Sequence, residues 1–299
     1  MNILVTGATG FIGGAVVKRL LKTKNDIFVF VRNSNKLTFL KKVNICIGDL
    51  RDYASVKNAL KNIDTVINCA GVLPHHKLKP EEYWQVNTVG VENLIKACIV
   101  NHIKRLIHVS TVGIYEKDKT PYSLSKLEGE KRIRTSKFSS KSLIIRPTIA
   151  YGPGDTRPVF LRLFKELLLG INILIGGGKN YFHTVYIDNL VDIIVKAVHN
   201  NQVLGKDFIV GDLVCPKMSE ITEAISKSNT KKVLTVSVNK NLAIMVARVF
   251  GAERIALFVS ENRIYNTNNM KKFFKIKTDI EINEGIRRTY NWYNNNQIL

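Results

Sequence analysis

Tyr122 and Lys126 stand four residues apart in the segment Thr120-Pro121-Tyr122-Ser123-Leu124-Ser125-Lys126. Thr120 suits a helix N-cap and Pro121 the first helical position, so the spacing puts a phenol and an ammonium one turn apart on one helix face. An ammonium at that distance stabilises a phenolate, and such a tyrosine can exchange a proton with a substrate hydroxyl or carbonyl. Eleven residues before Tyr122, the apolar run 105–109 ends in Ser110-Thr111, whose hydroxyls could hold the same substrate oxygen. A Tyr-x-x-x-Lys pair is common on ordinary helices. It gains meaning here from Ser110 and Thr111 and from a glycine turn at the start of the chain.

That turn is Thr6-Gly7-Ala8-Thr9-Gly10-Phe11-Ile12-Gly13. A short β-branched run, 3–5, precedes it, and 16–21 follows with apolar residues at helical spacing. Strand, glycine turn and helix leave backbone N–H groups free at a helix N-terminus, where the helix dipole favours an anion. The reading is a dinucleotide site, with Gly7, Thr9, Gly10, Phe11, Ile12 and Gly13 around a pyrophosphate. The spacing G-x-x-G-x-x-G differs from the common G-x-G-x-x-G, and a glycine-bearing turn that binds nothing is the alternative.

The elements that must position these groups alternate. Apolar runs at 27–31, 43–47, 65–68, 105–109 and 142–146 read as strands, and 55–60, 83–100 and 122–134 as helices. This order predicts an α/β fold with a parallel, doubly wound sheet that binds ligands at the carboxyl ends of its strands. The second strand ends in Arg32-Asn33-Ser34, with no acid from 28 to 35 to hold ribose hydroxyls. Arg32 can pair with a 2′-phosphate, which favours NADP over NAD, or it is a solvent-facing arginine. The third strand ends in Gly48-Asp49-Leu50; Asp49 can accept from an adenine amino group or cap the next helix. The fourth ends in Asn68-Cys69-Ala70-Gly71, small residues that let a cofactor lie against backbone.

After Pro147 the alternation loosens. Tyr151-Gly152-Pro153-Gly154-Asp155 is a turn signal, 159–169 and 187–198 read as helices and 208–210 as a strand. The expected division is a dinucleotide-binding core over 1–150, rejoined by 184–212, and a smaller substrate lobe from 151–183 and 213–299.

At 299 residues and 45% apolar content the chain is globular. The four cysteines, Cys46, Cys69, Cys98 and Cys215, form no C-x-x-C pair, and the first strand starts at residue 2 with no leader before it. Both features predict a cytoplasmic protein. The apolar stretch 242–259 contains Arg248, Glu253 and Arg254, so it reads as one amphipathic helix and not a membrane span. Lysines and arginines number 45 against 24 acids, a net charge of +21. No block of five basic residues occurs, and isoleucine and asparagine are also abundant. The charge therefore fits a compositional bias, or else attraction to phosphorylated ligands or a membrane surface. No aromatic residues interleave a basic stripe, which argues against nucleic acid.

Taken together, TGATGFIG, Gly48-Asp49-Leu50, NCAG at 68–71, Asn87 in Val86-Asn87-Thr88, Ser110-Thr111, Tyr122/Lys126, Arg146-Pro147, Tyr151-Gly152-Pro153-Gly154 and Val185-Tyr186-Ile187-Asp188 resemble the extended short-chain dehydrogenase/reductase family, the NAD-dependent epimerase/dehydratase group. The resemblance spans nearly the whole chain. It implies a Rossmann sheet of about seven strands with a C-terminal substrate lobe. It implies Tyr122 as acid/base, Lys126 as its pKa-setter and ribose ligand, and Thr111 as the catalytic hydroxyl with Ser110 beside it. Cofactor contacts fall on the glycine turn, Arg32, Asp49, Leu50, Cys69, Ala70, Gly71, Asn87, Pro147 and Thr148, with no metal. It also implies a homodimer through the helices 83–100 and 122–134.

Three features depart from the family's nucleotide-sugar epimerases. The loop from Thr111 to Tyr122 is shorter, Arg146-Pro147-Thr148-Ile149 replaces Arg-Tyr-Phe-Asn, and Tyr181-Phe182-His183 stands near the usual Arg-Asp-Tyr. His183 could meet a phosphate or be structural. The expected activity is NADP(H)-linked oxidoreduction at a secondary alcohol or ketone of a keto-sugar or nucleotide sugar. The alternatives are an epimerase or dehydratase with tightly bound NAD, and a non-catalytic dinucleotide sensor or nucleic-acid-binding relative. Val112, where a dehydratase carries a carboxylate, ranks dehydration low.

Overall fold

The computed structural model describes residues 1–33, 42–76, 78–228, 233–276 and 279–299. Ser34, read above beside Arg32, lies outside the described residues. The strands are β1 (Asn2–Thr6), β2 (Asp26–Val31), β3 (Asn44–Ile47), β4 (Thr65–Asn68), β5 (Arg105–Val109), β6 (Ser142–Pro147), β7 (Ile149–Tyr151), β8 (Ile171–Ile175), β9 (Thr184–Tyr186), β10 (Asp207–Val210) and β11 (Leu234–Val238). The helices are α1 (Phe11–Leu20), α2 (Tyr53–Ala59), α3 (Pro80–Trp84), α4 (Gly90–Val100), α5 (Pro121–Thr135), α6 (Pro158–Leu168), α7 (Ile187–His199), α8 (Met218–Ser228), α9 (Lys240–Val249), α10 (Glu253–Ser260), α11 (Asn268–Phe274) and α12 (Ile282–Asn295).

The chain divides into two compact units. The first holds Met1–Pro147, Leu190–Val210 and Asn268–Lys275. Its described residues form a seven-stranded parallel sheet in the order β10-β6-β5-β4-β1-β2-β3. Strand order reverses between β1 and β4, so a crevice opens where β1 ends, the usual place for a ligand in such sheets. The central strands β4, β5 and β6 are buried at every position, because a parallel sheet is covered on both faces, so their inner residues are mostly aliphatic on either side. Leu4, Val66 and Leu106 are register neighbours across β1, β4 and β5, and they pack with Leu60, Leu94 and Ile133. Each such aliphatic side chain contributes about 1.5–3 kcal/mol of burial. Arg105 on β5 donates to the carbonyls of Ala197 and Asn200, which ties α7 to the sheet.

The helix read over 83–100 is interrupted. α3 passes into a π-helical turn, Gln85–Val89, before α4 begins. Such a bulge shifts the face on which side chains project, and Asn87 and Thr88 sit at it, buried.

The second unit holds Thr148–Asn189, Gly211–Thr267 and Ile276–Leu299. Its strands form two parallel pairs, β7 with β9 and β8 with β11. Its core is aromatic: Tyr151 stacks on Phe160 at 4.6 Å and meets Tyr186 edge-on at 5.5 Å. Gly285 on α12 makes room for this cluster, since a Cβ there would lie 2.3 Å from the Tyr151 hydroxyl. The amphipathic stretch 242–259 is two helices and not one. Gly251, at φ +67°, separates α9 from α10 by a left-handed backbone that a helix cannot contain. Among the described residues no helix is long and apolar enough to cross a membrane.

Candidate active site

The glycine turn is built from backbone alone. Gly7 has φ +67°, and a Cβ on it would lie 2.7 Å from the Ala70 nitrogen and the Cys69 carbonyl carbon. A Cβ on Gly13 would lie 2.2 Å from the Gly7 oxygen. The turn therefore presses against the loop after β4 and against itself. Gly10 is the N-cap of α1 and offers no side chain to cap it, and the first turn of that helix has no acid. Thr9 and Gly10 are exposed, with Phe11 and Ile12 half-buried behind them. An anion of pyrophosphate size fits this bare, positively polarised helix end.

A buried chain of side-chain hydrogen bonds runs under the turn, across β1, β4 and β5. The Thr6 hydroxyl donates to Asn68 Oδ1 at 2.5 Å and accepts from the Ala70 N–H at 3.2 Å. Asn68 Nδ2 donates to His108 Nδ1 at 3.0 Å. Burial, with the Lys126 and Arg146 charges, pushes the His108 imidazole well below its ordinary value, so it is neutral. Sequence reasoning missed this chain, because its three members lie on strands far apart in sequence.

At the end of β5, Ser110 is buried and its Oγ has no hydrogen-bond partner among the described residues. A buried hydroxyl without a partner is costly in a finished core, and it marks a group open to a ligand. Thr111 is half-buried; its Oγ1 accepts from the Gly113 N–H at 3.0 Å and caps the short turn Val112–Tyr115. Among the described residues its hydroxyl proton has no acceptor.

Helix α5 begins with a reciprocal capping box. Thr120 Oγ1 accepts from the Ser123 N–H at 3.0 Å, and Ser123 Oγ accepts from the Thr120 N–H at 2.8 Å. Tyr122 is half-buried, with its ring edge-on to Tyr83 at 6.4 Å. Lys126 is buried and its Nζ donates to the Val109 carbonyl at 2.8 Å. The same Nζ lies 4.0 Å from where a Gly71 Cβ would be. Burial drives Lys126 down to about 8, against the opposing pull of Glu130. The structure thus brings Ser110, Thr111, Tyr122 and Lys126 to the end of β5, beside the loop Cys69, Ala70, Gly71. Burial pushes the Cys69 thiol up to about 12.

Asn87 braces this loop. Its Oδ1 accepts from the Val72 N–H at 3.1 Å, and its Nδ2 donates to the Val72 carbonyl at 3.3 Å and to Ser125 Oγ at 3.0 Å. Gly129 allows the close approach, since a Cβ there would lie 2.4 Å from the Asn87 carbonyl oxygen. One more turn along the Tyr122–Lys126 face, Glu130 receives Arg146 Nη2 at 2.7 Å, both side chains buried. Arg146 also pairs with Asp207 and donates to the Tyr115 hydroxyl at 2.8 Å. Glu130 carries no motif of its own in the sequence, although its i, i+4, i+8 spacing with Tyr122 and Lys126 is visible. Pro147 closes β6 and pairs with Val210. Thr148 opens the second unit, buried, its Oγ1 without a partner among the described residues.

Arg32 and Asp49 stand at the ends of β2 and β3, beyond β1. Asp49 is not a helix cap; Asp52 caps α2. The Asp49 carboxylate receives Arg51 through its backbone N–H, Nε and Nη2. Those hydrogen bonds, and more weakly the Arg32 charge, hold it below the usual carboxylate range. Leu50 is buried, and its carbonyl accepts from Asn93 Nδ2 at 2.9 Å. In the second unit His183 is structural: Nε2 lies 3.0 Å from the Asp212 carbonyl, and Nδ1 accepts from the Tyr265 N–H.

Residues 3–211 match the NAD dependent epimerase/dehydratase family. A UDP-glucose 4-epimerase from Vibrio cholerae is 28% identical over 96% of this chain and 94% of its own length. Two solved structures share the fold. A UDP-glucuronic acid 4-epimerase from Bacillus cereus in complex with NAD has a TM-score of 0.79 and 20% identity, over 99% of both chains. MoeE5 in complex with UDP-glucuronic acid and NAD has a TM-score of 0.78 and 20% identity, over 99% of this chain and 100% of that one. Both carry NAD, and this overturns the expectation of NADP drawn from Arg32. The physical reason lies in strand pairing: Val31 stands opposite Ile47, so Arg32 comes within electrostatic reach of Asp49. Arg32 therefore has a carboxylate partner within the fold and does not by itself mark a phosphate site. The chain belongs to the NAD dependent epimerase/dehydratase family, and it is an enzyme.

Proposed function

We propose that this enzyme epimerises a nucleotide sugar at a secondary hydroxyl, with NAD held through the catalytic cycle. The observation that carries the reading is the buried Lys126, fixed by Val109 one helical turn beyond Tyr122 and close to Gly71. The Vibrio cholerae relative, similar over almost its whole length, supports the substrate class.

NAD supplies, when bound, a hydride acceptor that gives the hydride back, so the overall reaction needs no external oxidant. The N–H groups of Gly10 to Gly13 hold its pyrophosphate, Lys126 its ribose, and Asp49 and Leu50 its adenine end. Tyr122 accepts the proton of the sugar hydroxyl as the C–H bond breaks and returns it when the carbonyl is reduced on the opposite face. The Lys126 ammonium favours the phenolate that this requires. Ser110 and Thr111 hold the sugar oxygen, and the unpartnered Ser110 Oγ suits that task.

The test has two parts. Denaturation of the purified protein should release NAD in near-stoichiometric amount, and incubation with UDP-glucose or UDP-glucuronic acid should give the 4-epimer without net NADH. Tyr122→Phe should keep NAD and lose activity by roughly 10²–10⁴-fold. Full activity in that variant would sink the assignment of the acid/base.

A further inference from the structure

Helix α9 is inverted. Leu242, Met245, Val246 and Val249 recur at i, i+3, i+4 and i+7, the spacing of a single stripe, and all four face solvent. Val249 is 80% exposed, and Phe250 directly after it is 79% exposed. The residues turned away from solvent are Ala243, Ile244 and Ala247, and no residue of α9 is buried. A helix lying on a water-soluble body normally presents the opposite polarity.

The strand pair just before α9 does the same. Leu234 pairs with Ile171 and Val236 with Ile173, which sets four aliphatic side chains on one face. All four are exposed, while Asn172 and Leu174 of the other face are buried. β11 ends at Val238 and α9 starts at Lys240, so the two apolar faces follow each other along the chain. Scattered exposed aliphatics need no explanation, but two consecutive elements with their apolar sides outward mark a surface that something covers.

Charge decides what covers it. Among the described residues around this face, Lys227, Lys240, Arg248 and Arg254 are basic, and two of them are paired, Lys227 with Glu223 and Arg248 with Glu253, so an excess of positive charge is left by Lys240 and Arg254. The whole chain carries +21. A second copy of so basic a chain would be repelled, whereas an anionic surface would be attracted. The exposed side chains are Leu, Ile, Val and Met with one Phe. Protein interfaces draw their strongest contacts from Trp, Tyr and Arg, while a fluid acyl layer accepts any aliphatic side chain. We propose that the β8–β11 and α9 face of the second unit docks on the surface of an anionic lipid bilayer, with the α9 stripe at the headgroup–acyl boundary. The chain then lies on the membrane without crossing it, and this inference does not rest on the identity of the sugar.

The experiment floats the full-length, NAD-loaded protein through a density gradient with vesicles of phosphatidylcholine alone or containing phosphatidylglycerol. Wild type should rise with the anionic vesicles, bind neutral ones roughly tenfold less, and detach as salt is raised. Met245→Asp with Phe250→Asp should weaken anionic binding by about tenfold or more. An independent variant, Ile173→Asp on the sheet face, should weaken it in the same direction. Both should retain NAD and the wild-type melting temperature, since the altered side chains are exposed. The proposal is overturned if wild type stays at the bottom with anionic vesicles or if well-folded variants float like wild type. It is equally overturned if the variants abolish a concentration-dependent dimer and vesicles bind none of the proteins, which would make the face a contact between copies. Failure of vesicle binding with epimerisation intact leaves the enzyme assignment standing.

Discussion

Glu130 holds Arg146 through both carboxylate oxygens and acts on Lys126 through its charge, so it joins the stability of the site to its protonation. Burial depresses Lys126 from 10.5 to about 8, which means the folded chain sheds this proton before the unfolded chain does. The charged amine therefore costs stability below about pH 8, and the fold regains it as pH rises from about 8 towards 10.5. Catalysis responds in the other direction, because the ammonium is the useful form. kcat/KM should decline on an alkaline limb near pH 8, and Glu130→Gln should move that limb to lower pH by removing the carboxylate that favours the ammonium. The same change unpairs one side of a buried arginine and should lower stability by about 3 kcal/mol or more. A pH–rate profile reads the first effect and denaturant unfolding the second; an unmoved limb would exclude the electrostatic role. Tyr122 and Lys126 were legible because a helix fixes i and i+4 from local sequence alone. Glu130 sat at the next position of the same row, but its meaning depends on Arg146 from a strand whose adjacency no local pattern encodes.

The glycine turn belongs to the element scale, because its conformation serves two neighbours at once. Gly13 must let α1 close on the Gly7 carbonyl, and no flexible side chain can yield there, since a Cβ would lie 2.2 Å from a backbone oxygen. Gly13→Ala should displace the start of α1, cost about 3 kcal/mol or more by overpacking, and release NAD on purification. Gly10→Ala, whose Cβ would lie 3.3 Å from the same oxygen, should be milder in both measurements. Thermal melting and the absorbance of released cofactor distinguish the two, and equal behaviour would refute the packing account. The central strands were legible to within a residue, since burial on both faces leaves short runs dominated by aliphatic residues. The π turn at 85–89 was not: its cause is the hydrogen bonding of Asn87 and Thr88 to Val72 and Ser125, partners remote in sequence. The split at Gly251 was written in the sequence as a glycine inside an apolar stretch, outweighed there by the continuity of hydrophobic residues on either side. The strand pairs of the second unit were invisible for another reason. Runs as short as Ile149–Tyr151 and Thr184–Tyr186 carry too few residues to show a period.

At the scale of the whole molecule the alternation of strands and helices determines the sheet, and the sheet determines which strand ends meet. That second step is where Arg32 misled. Read along the chain it is an isolated cation after a strand; read across the sheet, the pairing of β2 with β3 sets it near Asp49, itself clamped by Arg51. Arg32 thus has a carboxylate within electrostatic reach inside the fold, and its charge does not depend on a ligand phosphate for a partner. This reasoning is testable on the folding equilibrium of the entire chain. A ligand that binds only the folded state at a hundred times its dissociation constant contributes about 2.7 kcal/mol. For a protein of this size that corresponds to a rise in Tm of roughly 5 °C. After removal of retained cofactor, NAD should produce such a rise, and NADP at the same concentration should produce clearly less. Asp49→Asn should narrow the difference, because it removes the carboxylate that opposes the extra phosphate while leaving Arg32 in place. An NADP shift equal to that of NAD in the unaltered protein would show that the pair at the ends of β2 and β3 does not read the ribose at all.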